Sequence, residues 1–224
     1  WLSRQGAKIY VHPNGAPHML NPEKLIASAT RIYGDQMQTL WGDFLPVEDQ
    51  LTVTQDEQEI VIGDLRFLPL HTPGHAEHHC CYLFEDVCFT GDVGGVRIPG
   101  YQYMRAPMVP PELHFPKWLA TIARLRSLGF KRIAPTHYGI FDDVEWHLNE
   151  LQNILEETER WLEQTMSAGP SIDELRAKYE AWMQQQSDAQ HLSEDVICAY
   201  TLANPLGMGA DGMVRYWKKV RNPS

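Results

Sequence analysis

Apolar positions recur along this 224-residue chain with two periods, and the change from one to the other falls near Asp143. Before it, short apolar runs alternate with turn residues. LTVT, EIVIG and LRFLPL between Leu51 and Leu70 predict a β meander, with Gly63-Asp64 as a hairpin turn. HCCYLF and DVCFTG predict a second hairpin turning at Glu85-Asp86, and RIAP a later strand. After Asp143 the spacing is helical. Val144, Leu148, Leu151, Ile154, Leu155, Trp161 and Leu162 follow the i, i+3, i+4 rule from Val144 to Met166, with acidic residues on the other face.

Smaller elements complete the pattern. Lys8 to Val11 predicts a strand ending at His12-Pro13. Asn21 before Pro22 and Glu23 predicts a helix start, with Leu25, Ile26, Ala29, Ile32 and Tyr33 on one face and a stop at Gly34. Met37, Leu40 and Trp41 form a further stripe, expected to pack in the core. Pro110-Pro111-Glu112 is expected to open a helix carrying Trp118, Leu119, Ile122, Leu125 and Leu128, stopped by Gly129. Gly169-Pro170 ends the long helix. Ser171 with Glu174 has the capping-box spacing for the next, and two more helical stretches are expected at Val196 to Leu202 and Met213 to Val220.

The segment GGVRIPGYQYMRAPMVPPE has no regular period. A stretch of that length in a folded domain is usually a functional loop. Tyr101, Tyr103, Met104 and Arg105 are therefore the candidate substrate contacts.

Composition narrows the class. A formal charge of −10 argues against nucleic acid as a partner, while leaving room for a small acidic substrate at Arg97 or Arg105. No apolar run reaches the length of a membrane span. The four cysteines have no C-x-x-C spacing and are expected as free thiols, mostly buried, in a reducing cytosol. The expected location is cytoplasmic.

The candidate chemistry sits at the ends of the β-type runs. His75 lies in a Gly-flanked turn, Asp92 behind Thr90-Gly91 and His137 in a second turn. Imidazole nitrogen and carboxylate oxygen suit zinc and similar ions, and loop junctions leave a position open for water. A carboxylate can bridge two cations, so Asp92 is the candidate shared donor. Of the other histidines, His12, His18, His114 and His191 are expected at the surface or in ordinary hydrogen bonds, and His71 as structural. At most one of His78 and His79 can face the donors, since neighbours on a strand point oppositely. His147 is expected on solvated helix surface.

TPGHAEHH, TGD and PTHYG, in that order and separated by β-type runs, resemble the later metal-binding motifs of the metallo-β-lactamase superfamily, nearest its glyoxalase II-like hydrolases. The resemblance covers about Lys8 to Asp143. It implies His75 as a ligand of a first metal, Asp92 as the bridge and His137 as a ligand of a second. Two divalent ions are implied as cofactors, zinc foremost, with iron or manganese as alternatives. It also implies an α/β fold, the αββα sandwich, with metallo-β-lactamase-fold residues at 1–143 and a C-terminal helical region at 144–224 covering the active site.

One motif of that family, H-x-H-x-D-H, has no counterpart here. The opening WLSRQGAKIYVHP resembles the segment that follows it, so the first strands and first metal motif are expected on a removed segment or a companion chain. The implied activity is hydrolysis of a small ester, thioester or lactone by a metal-bound hydroxide. The alternatives are a mononuclear-iron persulfide dioxygenase and a non-catalytic fragment needing a partner segment; a homodimer is also open. GDVGGVRIPGYQYM departs from the glutathione-binding cluster of glyoxalase II enzymes. Gly95 stands where quorum-quenching lactonases carry tyrosine.

Overall fold

A computed structural model describes residues 1–47 and 51–222, without the side chains at 31–33, so Ile32 and Tyr33 lie outside the described side chains. The chain divides into two units, residues 1–58 and 59–224.

In the first unit, β1 (Ile9–Val11) pairs in parallel with β2 (Leu51–Val53). Between them run α1 (Ala16–Leu20), α2 (Glu23–Tyr33) and α3 (Met37–Trp41). Asn21 Oδ1 accepts from the Glu23 amide at 3.1 Å, and α2 stops at Gly34 as expected. The stripe on α3 is not core: Leu40 is 52% exposed and Trp41 44%. The i, i+3, i+4 spacing sets the three on one side of α3, but among the described residues that side is left largely uncovered.

The second unit is built on a five-stranded sheet in sequence order: β3 (Ile60–Ile62), β4 (Leu65–His71), β5 (Cys80–Phe84), β6 (Val87–Val96) and β7 (Arg132–His137). All neighbours are antiparallel except β6 and β7, which run parallel through the crossover helix α4 (Phe115–Ser127). The cross-strand register decides the two faces. Leu68, Leu83, Cys88 and Ile133 share one face, and Leu70 and Cys81 lie on it too. These residues form one core with Phe115, Trp118, Ile122 and Leu125 of α4 and with Leu148, Leu151 and Leu155 of α5 (Val144–Met166). The other face carries Phe67, Tyr82, Phe84, Phe89 and Ala134. Phe67 stacks on Phe84 at 4.8 Å, while Phe89 is 42% exposed.

α4 begins at Phe115, not at Pro110-Pro111-Glu112. His114 Nδ1 accepts from the Lys117 amide and Pro116 occupies the first turn, so the cap is set beyond the proline pair. Past α5 come α6 (Ile172–Ala189), with the full Ser171/Glu174 capping box, α7 (Glu194–Ala203) and α8 (Leu206–Tyr216). α8 starts earlier than the sequence suggests. Gly209 and Gly212 dilute its apolar pattern because it packs tightly: a Cβ at Gly212 would lie 2.0 Å from the Met108 carbonyl oxygen. Among the described residues no helix is long and apolar enough to cross a membrane. The four cysteines are outside any disulfide; Cys81 and Cys88 are buried, Cys80 half-buried and Cys198 exposed.

Candidate metal centre

The sheet topology brings the donor-bearing ends of its strands together. His75 lies in the turn after β4 and before β5, and His137 closes β7. Asp92 sits inside β6, not at its end: the β6–β7 register shifts on both sides of Gly91, and this irregularity swings Asp92 to the rim. A Cβ at Gly91, where φ is +53°, would lie 2.7 Å from His79 Nε2, so only glycine fits this bend.

His75, Asp92 and His137 meet there. His75 Nε2 lies 3.7 Å from Asp92 Oδ2, and His137 Nε2 lies 3.2 Å from Asp92 Oδ1. The carboxylate thus divides its two oxygens between two imidazoles. Side-chain exposures of 10% for His75, 27% for His137 and 38% for Asp92 make His75 the floor and Asp92 the face open to solvent.

The His75 ring is held from behind, and His137 is pinned through its backbone. His75 Nδ1 donates to the Pro107 carbonyl at 2.8 Å, leaving the Nε2 lone pair toward Asp92, and the ring meets Trp118 edge-on at 5.7 Å. The Trp118 indole N–H in turn donates to the Val93 carbonyl, next to Asp92. The His137 carbonyl accepts from the Arg97 amide at 3.3 Å. A partner on the second ring nitrogen, as at His75, fixes ring orientation before any ligand arrives.

Electrostatics favours the donor forms. Burial lowers the His75 pKa, with the Asp92 charge opposing it, so the ring is held toward its neutral form. Burial works to raise Asp92, but the hydrogen bond from His137 and the neighbouring imidazoles outweigh it and hold the carboxyl below its usual range.

The spacing suits metal in a particular way. Two ligands of one tetrahedral ion with bonds of about 2.1 Å lie roughly 3.4 Å apart, a separation bracketed by the two His–Asp92 distances. Among the described residues, however, no three His, Cys, Asp or Glu donors surround one common point. The arrangement is two pairs sharing one carboxylate, a donor set fitting two ions with further donors needed for each.

His78 and His79 lie in the turn before β5 rather than on a strand, and they have different partners. His78 Nδ1 lies 3.5 Å from Glu112. His79 braces the rim: its Nδ1 pairs with Thr72 Oγ1 at 2.9 Å and its Nε2 accepts from the Val93 amide at 3.4 Å. His147 corrects the expectation of a solvated site. It is fully buried, donates from Nε2 to the Gly94 carbonyl at 2.7 Å, and faces Arg97 at 3.5 Å. Arg97 is not open to a substrate either: both its terminal nitrogens bind Asp143, at 2.6 and 2.7 Å. Neither contact has a local sequence signature, because each joins positions far apart in the chain.

Of the four loop candidates, Tyr103, Met104 and Arg105 are buried and line a cavity whose walls do not include His75, Asp92 or His137. Tyr101 is 38% exposed and outside that lining.

The model of the metallo-β-lactamase superfamily matches residues 1–137, more than half of the chain. The chain belongs to the metallo-β-lactamase superfamily. Proteins of this superfamily generally bind divalent metals, and its enzymes are mostly hydrolases. A metallo-β-lactamase fold-containing protein of Sulfurisphaera tokodaii, ST1585, is 27% identical over 154 residues, covering 67% of this chain and 56% of that protein. The hydroxyacylglutathione hydrolase of Shewanella halifaxensis is 33% identical over 81 residues, covering 36% of this chain and 28% of the enzyme. The chain thus spans little more than half the length of the first relative and under a third of the second. A metallo-β-lactamase family protein of Thermus thermophilus, TTHA1429, superposes over 97% of this chain and 68% of its own with a TM-score of 0.60 at 16% identity, which shows the shared fold.

Proposed function

We propose that His75, Asp92 and His137 form part of a two-metal hydrolytic site, zinc being the proposed ion, acting on a small ester, thioester or lactone. The observation that carries this reading is Asp92, whose two oxygens are shared between His75 and His137 at ligand-like spacing. When bound, divalent ions supply Lewis acidity toward a carbonyl and lower the pKa of a coordinated water.

The chain's own residues do the rest. Asp92, kept ionised, would offset the mutual repulsion of two bound cations. His75, fixed by Pro107, presents an unprotonated nitrogen from the floor of the site. His137 brings its Nε2 to the same carboxylate from the end of β7. The division at Asp143, with residues 144–224 covering the site, belongs to the same proposal, as does a cytoplasmic setting. The Shewanella relative, a hydrolase by name, supports the reaction class, and the departure of residues 91–104 from the glutathione-binding pattern leaves the acyl group open.

The test is turnover of p-nitrophenyl acetate, an acyl thioester and a γ-lactone with zinc present. Activity toward at least one should vanish with a chelator and fall at least about 100-fold in Asp92→Asn, more than outer partners of a ligand usually carry. Full turnover by Asp92→Asn at unchanged zinc content would overturn the reading.

A second reading is favoured by the open sheet face with Phe89 and by the two donors per ion. In it, the remaining donors come from a companion segment carrying H-x-H-x-D-H, and these 224 residues alone are inactive. Tight binding of two zinc ions by the unaided chain would set it aside.

A further inference from the structure

Two arginines near the active rim are buried, and they differ in one respect. Arg97, 5% exposed, has its carboxylate, Asp143. Arg105, 1% exposed, has none within ion-pair reach among the described residues. Its neighbours are three neutral hydroxyls: Tyr103 Oη to Nε, Thr201 Oγ1 to Nη1 and Ser187 Oγ to Nη2, each at 3.2 Å. The rings of Tyr103 and Tyr200 lie 5.8 and 5.5 Å from the guanidinium. A guanidinium has five N–H donors, and these contacts use three, leaving one on each terminal nitrogen. A buried cation without a counter-charge is costly, so an anion that reached Arg105 would gain by pairing with it.

Arg105 lines a cavity of about 240 Å³ beside α5 and α6. Met104, Met183 and Tyr179 make the wall apolar, and Trp182 is held as a flat surface by stacking on Trp161 at 5.2 Å and 14°. Glu150 and Glu157 belong to the lining as well. Burial and the charge of Glu157 raise the Glu150 pKa, so the cavity already resists added negative charge on that side. With two carboxylates elsewhere in the lining, the cavity suits a monoanion better than a phosphate dianion. The two remaining N–H groups equal in number the two oxygens of a carboxylate.

We propose that this cavity is a second ligand site, specific for a small organic monocarboxylate whose carboxylate meets Arg105 and whose apolar body lies along Trp182 and Met183. It is separate from His75, Asp92 and His137, although Ala106 and Met108 of its wall flank Pro107, the residue that holds His75. The proposal does not depend on the metal chemistry.

The test is calorimetric titration of the full chain with 3-phenylpropionate, 3-phenylpropanol and inorganic phosphate. Saturable binding of 3-phenylpropionate is expected, with the alcohol and phosphate at least about tenfold weaker, the factor that charged hydrogen bonds supply. Arg105→Gln should weaken it to the same degree. Should that variant fail to fold, Gln186→Trp, which fills the cavity from a half-buried position on α6, should abolish binding instead. Asp92→Ala should leave the affinity unchanged, which separates this site from the metal reading. Equal binding of the alcohol or of phosphate, undiminished binding in the folded variants, or no saturable binding overturns the proposal.

Discussion

The Nδ1 of His75 lies 2.8 Å from the carbonyl oxygen of Pro107, and this bond decides which nitrogen of the ring faces Asp92. A carbonyl can only accept, so the proton belongs on Nδ1 and the lone pair on Nε2. Long-range ¹⁵N–¹H correlation spectra of the metal-free protein at neutral pH should show the Nδ1–H tautomer for His75. An Nε2–H tautomer would contradict the arrangement.

The residue before His75 constrains it equally. Gly74 has φ of +140°, and a Cβ there would lie 2.4 Å from both Cα and Cβ of Trp118. Neither atom can rotate away, so α4 or the turn must shift. Gly74→Ala is expected to destabilise the protein by roughly 3 kcal/mol, combining backbone strain with overpacking, and to weaken zinc binding as His75 moves. A urea midpoint equal to that of the wild type would refute this.

Arg97 is clamped in three ways: two bonds to Asp143, the Phe141 ring at 4.1 Å and the Trp146 ring at 4.4 Å. Lysine could keep the charge but neither the fork nor the stacking. Arg97→Lys is expected to cost about 2 kcal/mol. A cycle with Asp143→Asn should give a coupling of about 1–3 kcal/mol, and strict additivity would show that the pair contributes nothing.

Burial lowers the pKa of His147 to about 4, with Arg97 adding to the effect and Asp143 and the Gly94 carbonyl opposing it. The unfolded chain takes up this proton near pH 6.5 and the folded protein resists it. The stabilisation is therefore complete above pH 6.5 and lost as pH falls toward 4, by roughly 3 kcal/mol at most. Asp143, held low chiefly by its hydrogen bond from Arg97, adds a further loss at still lower pH. Urea denaturation across pH 7 to 4 should show the decline, and His147→Gln should flatten its upper part. A wild-type profile flat over that range would contradict the buried, neutral ring.

Much of this was legible in the sequence where the signal is local. The spacing from Val144 to Met166 gives α5 with both ends correct, and Ser171 with Glu174 gives the start of α6. The three donors could be named because each follows a β-type run. Long-range contacts were not legible. The neutral burial of His147 depends on Gly94, while the cap of α4, although local, falls on a histidine rather than a usual capping residue. Asp92 reads as the end of a strand because Thr90-Gly91 resembles a turn, whereas pairing with β7 carries the strand through it with a bulge. Arg105 could be flagged as a loop cation, but its enclosure by Tyr103, Ser187 and Thr201 draws on two helices far along the chain.

The most direct measurement is zinc content per chain after equilibrium dialysis, compared among the wild type, Asp92→Ala and His147→Gln. The wild type should retain zinc, His147→Gln should match it, and Asp92→Ala should lose it while staying folded by circular dichroism. Asp92→Ala holding as much zinc as the wild type would show that the carboxylate between His75 and His137 is not a metal ligand.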